Sequence, residues 1–183
     1  MSNIKPRRPR AESSGFSLVE LLLAVALVGL LAALVIPALD AMRRRADATV
    51  CANNLRQIGV AMLQKVQDNG NVFPLVESDP TAPLYPPDAG ALSLLETLRP
   101  YGMTERSLRC PADVRQKNFF QAKGTSYEWF PLVDGEVAVT PKIYLPSGVL
   151  TLPQTLFPMA ADFTGVHRGR QNVLFADGHV RAY

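Results

Sequence analysis

Residues 15–39 read GFSLVELLLAVALVGLLAALVIPAL, an almost uninterrupted apolar run. The 24 residues from Phe16 to Leu39 contain a single charged side chain, that of Glu20. At about 1.5 Å per residue, a helix of this length spans the hydrocarbon core of a bilayer, which is about 30 Å thick. The sequence therefore predicts a membrane-spanning helix over residues 16–39.

The basic residues of the chain are concentrated around this segment. The chain has 183 residues with 19 Lys and Arg and 16 Asp and Glu; seven of the basic and three of the acidic residues lie in the first 45 positions, which leaves 12 and 13 for the rest. The folded remainder is thus nearly neutral, and no nucleic-acid partner is evident. Basic residues before the segment favour a cytoplasmic N-terminus, whereas Arg43, Arg44 and Arg45 after it oppose that orientation.

Glu20 is the unusual residue of the segment. An ionised carboxylate inside a membrane helix costs roughly 2.5–3.5 kcal/mol, so it normally has a partner. No basic side chain lies within one or two turns of Glu20 inside the apolar run. If the leader is cut between Gly15 and Phe16, the new amino group of Phe16 on a neighbouring subunit supplies the missing positive charge.

The GFSLVEL block resembles the class III signal of type IV prepilins and type II secretion pseudopilins. The resemblance implies cleavage after Gly15 by a prepilin peptidase, N-methylation of Phe16 and assembly through stacked N-terminal helices in which Phe16 pairs with Glu20. Pro37 matches a common pilin proline, whose missing N–H weakens the helix locally. The implied partners are the prepilin peptidase/methyltransferase, other pilin-like subunits and the inner-membrane assembly machinery.

The resemblance also implies a location and a function. The chain is expected in the inner membrane as a single-pass protein with a cytoplasmic N-terminus and a periplasmic head, or outside the cell in an assembled fibre. The expected function is that of a structural subunit of a type IV pilus-like or type II secretion pseudopilus fibre. A plain membrane anchor and a non-polymerising, membrane-anchored binding module are the alternatives. The sequence has no Gly-x-Ser-x-Gly elbow and no phosphate-binding loop, so no enzymatic activity is predicted.

Beyond the apolar run the helical periodicity continues. Apolar residues recur at steps of three and four and form one stripe on a helix, which needs a covering domain: Cys51, Leu55, Ile58, Met62 and Val66. Two helices broken at Pro37 are the alternative to one long helix. The predicted fold is α+β and pilin-like, a long N-terminal helix packed on a small antiparallel β head with a C-terminal hairpin. Its predicted parts are a leader (1–15), a membrane and assembly helix (16–39), an amphipathic continuation (40–70) and a head (71–183).

The head is predicted from short β-prone runs and turn signals. The runs SYEWF, EVAVT and KIYL predict antiparallel strands, and ALSLLETLRPYG predicts a short helix with Leu92, Leu95 and Leu98 inward. In NVLFADGHVRAY, the pair Asp177-Gly178 predicts a hairpin with a two-residue type I′ turn.

The C-terminus carries a second pattern, in which His167 is followed by nine residues and then Asp177-Gly178. Together with CANNLRQIG after the apolar run and the CPAD stretch, it resembles prepilin-like proteins defined by a processing-type N-terminus and this C-terminal motif. The resemblance assigns the motif no chemical role. A hydrogen bond from His167 to the turn or to backbone is the simplest expectation.

Metal binding and a disulfide are the remaining expectations. Two histidines and a carboxylate, His167, His179 and Asp177, could bind a transition metal, but Asp177 is explained by the turn and a third fixed ligand is then missing. Asp162 and Asp177 are the candidate ligands for calcium, and no other cofactor is expected. Cys51 and Cys110 are the two cysteines of the chain. In an oxidising compartment they would form one disulfide that joins the helix to the CPAD loop, and two free buried thiols are the alternative.

Overall fold

The computed structural model of the protein describes residues 17–77, 79, 84–86, 89–167 and 169–183. Four α-helices are present in these residues: α1 Leu18–Asp68, α2 Leu94–Leu98, α3 Pro111–Gln116 and α4 Phe119–Lys123. Eight strands accompany them: β1 Val76–Glu77, β2 Leu92–Ser93, β3 Tyr127–Trp129, β4 Lys142–Leu145, β5 Gly148–Thr151, β6 Pro158–Asp162, β7 Asn172–Phe175 and β8 Val180–Ala182. The chain divides into two compact units at the boundary between Ala41 and Met42.

The predicted α+β, pilin-like fold is confirmed. A long N-terminal helix precedes a head whose main sheet has the strand order β3-β6-β7-β8, with every neighbouring pair antiparallel. β4 and β5 form a separate antiparallel hairpin, and β1 and β2 form a short parallel pair. The sheet is small because most of its strands have only three to five residues.

The second half of α1 supplies one wall of the core. The predicted apolar stripe is confirmed, since its five members are at most 2% exposed: Cys51, Leu55, Ile58, Met62 and Val66. Gly59 lies where the helix contacts β7, and a methyl group added there would lie 2.8 Å from Leu174 Cδ1. The buried stripe and the absence of a side chain at Gly59 together allow α1 to pack on the main sheet.

The aromatic residues of β3 belong to this core. Trp129 is 1% exposed and Tyr127 is fully buried. Phe73 packs near Trp129, with their ring centroids 6.5 Å apart. The run SYEWF therefore forms the predicted strand, and its aromatic residues contribute to packing rather than to a surface patch.

Two local predictions were wrong. The run EVAVT is not a strand, because Val137 makes only an isolated bridge to Val72 among the described residues and a turn follows at residues 138–139. The predicted helix over residues 91–102 begins later than expected. Ser93 and Glu96 form a reciprocal capping box that starts the helix at Leu94, and Leu92, which was expected inward, is half exposed in β2.

Candidate functional site

The first turn of α1 contains Glu20, whose side chain is exposed in the single chain. The Leu21 N–H donates to the Ser17 carbonyl at 3.2 Å, so helical hydrogen bonding already includes the turn that carries Glu20. Gly15 and Phe16, at the predicted cleavage site, lie outside the described residues. The structure therefore describes one member of the predicted assembly pair, the carboxylate of Glu20.

The apolar side chains that follow Glu20 have no cover. Every Leu, Val and Ile from Leu18 to Leu39 is between 47% and 73% exposed. By length and composition, α1 is the one helix in the described part of the chain that is apolar enough to cross a membrane, and none of its most apolar window is buried. A surface of this size is unstable in water and indicates a lipid or helical partner.

Pro37 lies inside α1, and the helix continues past it to Asp68. A proline at an interior position removes one intrahelical hydrogen bond. The expected alternative of two helices broken at Pro37 is thus not the arrangement observed. The role of Pro37 in assembly stays a prediction.

Cys51 and Cys110 form a disulfide with their Cα atoms 5.1 Å apart, which confirms the predicted pairing. Both residues are fully buried. Near the disulfide, the Asn54 side-chain amide donates to the Arg109 carbonyl at 3.1 Å, which adds a second connection between α1 and the same loop. The CPAD stretch is thus held against the second half of α1 by one covalent and one polar link.

The aspartate of CPAD has a structural role that the sequence analysis did not predict. Pro111 occupies the first turn of α3, as is typical of proline at helix N-termini. Asp113 is fully buried, and its carboxylate accepts the amides of Phe119 and Phe120 at 2.9 Å each and the Ser126 hydroxyl at 2.7 Å. This carboxylate therefore caps the start of α4. The Pro-x-Asp spacing after Cys110 was the available sequence signal for the role of Asp113.

His167 and Asp162 form a second buried polar group. His167 Nε2 lies 3.0 Å from Asp162 Oδ2 and 3.5 Å from Cys110 Sγ. Asp162 also accepts the backbone amide and the side-chain amide of Asn172, each at 2.7 Å. His167 thus contacts a carboxylate rather than the expected turn or backbone. The side chains of His167, Asp162 and Asn172 together link the end of β6 to the start of β7.

The Asp177-Gly178 turn differs in type from the prediction. The Gly178 N–H donates to the Phe175 carbonyl at 2.8 Å and the Phe175 N–H to the His179 carbonyl at 2.9 Å, so the loop has three residues, 176–178. Gly178 has φ of +87°, whereas Asp177 is not among the residues with positive φ. A type I′ turn needs positive φ at both central positions, so this is a three-residue loop with glycine at its left-handed position.

The side chain of Asp177 stabilises this loop. Its Oδ1 accepts the backbone amide of His179 at 3.1 Å and lies beside the imidazole of the same residue. Partial burial acts to raise the pKa of Asp177, but these hydrogen bonds and the attraction of the His179 ring lower it below its usual value. The carboxylate is therefore the favoured form in the folded protein.

The two ends of the C-terminal motif anchor β7 at different places. His167 lies beside the disulfide, whereas a methyl group added at Gly178 would lie 3.3 Å from Leu63 Cδ1 of α1. The intervening residues that the structure describes, 169–176, are the end of the loop, β7 and the first residue of the turn. The geometry indicates that the motif fastens the C-terminal hairpin to the helix.

The two predicted calcium ligands have different surroundings. Asp162 is fully buried with both oxygens engaged by protein donors, and Asp177 lies on the hairpin loop beside His179. Within the described residues, the group of three or more His, Cys, Asp or Glu side chains with metal-binding spacing is a different one: Cys51, Cys110 and His167. Calcium binding by Asp162 and Asp177 stays a prediction.

A third carboxylate, that of the partly buried Asp134, was also missed by the sequence analysis. It accepts the indole N–H of Trp129 at 2.7 Å, the Tyr85 hydroxyl at 2.5 Å and the Val76 amide at 3.2 Å. Burial raises the pKa of Asp134, although these three hydrogen bonds act in the opposite direction. The local sequence around Asp134-Gly135 indicates only a turn, because Val76 and Tyr85 are distant from Asp134 in the chain.

Comparison with known proteins bears on the N-terminus. The family described as the prokaryotic N-terminal methylation motif matches residues 10–36. The chain carries a prepilin-type signal. This signal implies processing by a prepilin peptidase and assembly with pilin-like subunits, and together with the apolar helix it is compatible with membrane anchoring. No curated protein and no solved structure matches the chain.

Proposed function

We propose that the protein is a structural subunit of a type IV pilus-like or type II secretion pseudopilus fibre. The observation that carries the proposal is the methylation motif over residues 10–36. The uncovered apolar surface of residues 18–39 supports it, because subunits stacked through this segment would bury that surface in the centre of a fibre.

Cleavage after Gly15 and methylation of Phe16 are the processing steps of this proposal. The leader would remain in the cytoplasm and the head would lie in the periplasm, where an oxidising environment suits the buried Cys51–Cys110 disulfide. In the fibre, Glu20 of one subunit would pair with the amino group of Phe16 of its neighbour. This pair would offset the cost of roughly 2.5–3.5 kcal/mol of an isolated carboxylate in an apolar medium.

Processing is tested by intact mass and N-terminal sequencing of the protein from a membrane that contains the peptidase. The wild-type chain is expected to begin at a methylated Phe16. A Gly15→Val variant is expected to keep its leader, because the bulkier residue would block cleavage of the adjacent bond. A wild-type chain that begins at Met1 would contradict the proposal.

Assembly is tested separately with Glu20→Leu, which makes the segment more apolar and therefore retains insertion. The variant is expected to be cleaved normally but to disappear from the sheared fibre fraction. Glu105→Leu removes an exposed carboxylate of the head and serves as the matched control, with assembly unchanged. If Glu20→Leu is processed and assembles like the wild type, the membrane-anchored binding module becomes the better interpretation.

A further inference from the structure

The disulfide and its nearest histidine form a compact group of soft donor atoms. The Sγ atoms of Cys51 and Cys110 and a ring nitrogen of His167 all lie within 4.8 Å of one another. Both cysteines are fully buried, and the side chain of His167 is 6% exposed. This set shares only His167 with the ligands that the sequence suggested.

A carboxylate contacts the imidazole at the same ring nitrogen that lies near Cys110 Sγ. Asp162 Oδ2 lies 3.0 Å from His167 Nε2 and is fully buried. Both of its oxygens accept hydrogen bonds from Asn172, Oδ1 from the backbone amide and Oδ2 from the side-chain amide, at 2.7 Å each. Three donors from α1, the N-cap of α3 and the loop after β6 therefore lie together in the head, and Asp162 holds the imidazole among them.

We propose that, when the Cys51–Cys110 disulfide is reduced, Cys51, Cys110 and His167 bind one zinc ion. Two thiolates and one imidazole are donors that Zn²⁺ takes in tetrahedral sites, and a solvent molecule would complete the coordination. Thiolates bound to one zinc lie about 3.8 Å apart, given Zn–S bonds of about 2.3 Å. Side-chain rotation separates the sulfur atoms to this extent while the Cα atoms remain 5.1 Å apart as in the disulfide.

The conversion balances with an external dithiol as the reductant. The dithiol is oxidised to its own disulfide and transfers two electrons and two protons, which break the Cys51–Cys110 bond and give two thiols. Zinc binding then releases the two thiol protons to solvent. The imidazole binds through Nε2 as the neutral ring with its proton on Nδ1, so no further oxidant or reductant is needed.

The consequence is that the same connection exists in two chemical forms. In the oxidised protein a covalent bond joins α1 to the start of α3, and in the reduced protein a metal ion joins the same two residues. Zinc would hold the head together before oxidation and would protect both thiolates from pairing with other chains.

The test uses the full chain in detergent, reduced in denaturant and refolded with Co²⁺ as a spectroscopic substitute for zinc. Reduced wild-type protein is expected to bind one equivalent, with a thiolate-to-cobalt charge-transfer band and tetrahedral d–d bands, and zinc is expected to displace the cobalt. The oxidised protein is expected to give no such bands. Far-UV circular dichroism monitors recovery of the helix and the sheet.

His167→Gln is the decisive variant, because the amide retains a donor toward Asp162 but is a poor zinc ligand. Its zinc affinity in competition with a chromophoric chelator is expected to fall more than about 100-fold, since outer-shell residues alone contribute about 10–100-fold. His179→Gln removes the other histidine of the chain and is expected to leave the affinity unchanged. The double variant Cys51→Ser, Cys110→Ser is expected to lose the charge-transfer band.

Four results would overturn the proposal. Reduced wild-type protein that folds without cobalt bands, or that fails to refold when the metal is present, lacks the site. Equal affinity in His167→Gln and the wild type places the metal elsewhere, as does equal binding by the oxidised protein.

Discussion

The two halves of α1 are both rich in apolar residues, yet their surroundings are opposite. In residues 18–39 every large aliphatic side chain is about half exposed or more, whereas in residues 51–66 one stripe is completely buried by the head. The first half is apolar all round, and the second is apolar on one face. The head therefore buries apolar side chains of the second half only. The apolar surface of the first half suits an apolar environment outside the head.

The largest effect is expected from the bond that ties the second half of α1 to the head. Replacing Cys51 and Cys110 together by Ala is expected to lower the free energy of unfolding of the head by about 4 kcal/mol, because the cross-link closes a loop of 59 residues. Trp129, the sole tryptophan of the chain and a buried residue, reports unfolding by fluorescence in denaturant. A change below about 1 kcal/mol would show that packing alone holds α1 in place.

A matched pair of leucines tests the comparison directly. Leu55→Ala, in the buried stripe, is expected to lower the free energy of unfolding of the head by about 3 kcal/mol, because it leaves a cavity. Leu27→Ala, 53% exposed in the apolar half, is expected to change it by less than about 0.5 kcal/mol. Trp129 fluorescence measures both. Equal effects would mean that the two halves are not independent.

A smaller effect is expected where the C-terminal hairpin meets α1. Gly178→Ala is expected to lower the free energy of unfolding by about 1–2 kcal/mol, because φ is +87° and the new methyl group presses on Leu63. Gly165→Ala has the same φ but open space around it, so its effect is expected to be smaller. Chemical denaturation of both variants isolates the contact with the helix. Equal losses would indicate that backbone strain alone matters.

The smallest effect concerns the pH dependence of the same hairpin. The pKa of Asp177 is lower in the folded protein than in the unfolded chain, so its contribution is present above the unfolded value of about 3.9 and is lost as pH falls through the folded value. In Asp177→Asn this dependence disappears. The wild type is expected to exceed the variant by a few tenths of a kcal/mol at neutral pH, because solvent screens this exposed group. Urea unfolding between pH about 2 and about 7 measures the difference, which should vanish at the acidic end.

Periodicity predicted the long elements of the fold because it depends on local chemistry. The helix and its stripe from Cys51 to Val66 follow from residue spacing, and the observed end at Asp68 agrees with the predicted continuation over 40–70. The run EVAVT has similar local preferences to SYEWF but did not form a strand. β propensity is realised only where a partner strand is available, and that partner is set by the rest of the chain.

In the candidate sites, too, features with a local sequence signal were predicted and features that depend on distant residues were not. The sequence predicted the processing signal and the pairing of Cys51 with Cys110. It did not predict that Asp113 and Asp162 are fully buried, because each depends on donors that the chain brings back from other elements. The role of His167 was missed for the same reason, since its partner is a side chain of β6 and not the turn that completes its motif.

The sequence by itself therefore determined the prepilin-type signal, the uncovered apolar helix with Glu20 near its start, and the stripe that requires a head. These features depend on composition and on spacing along a single helix. The strand order β3-β6-β7-β8, the burial of Asp113 and Asp162 and the contact of His167 with the disulfide emerge only in the tertiary structure. Those features depend on contacts between distant residues, where burial makes an unpaired charge costly and so selects the partners that the fold brings together.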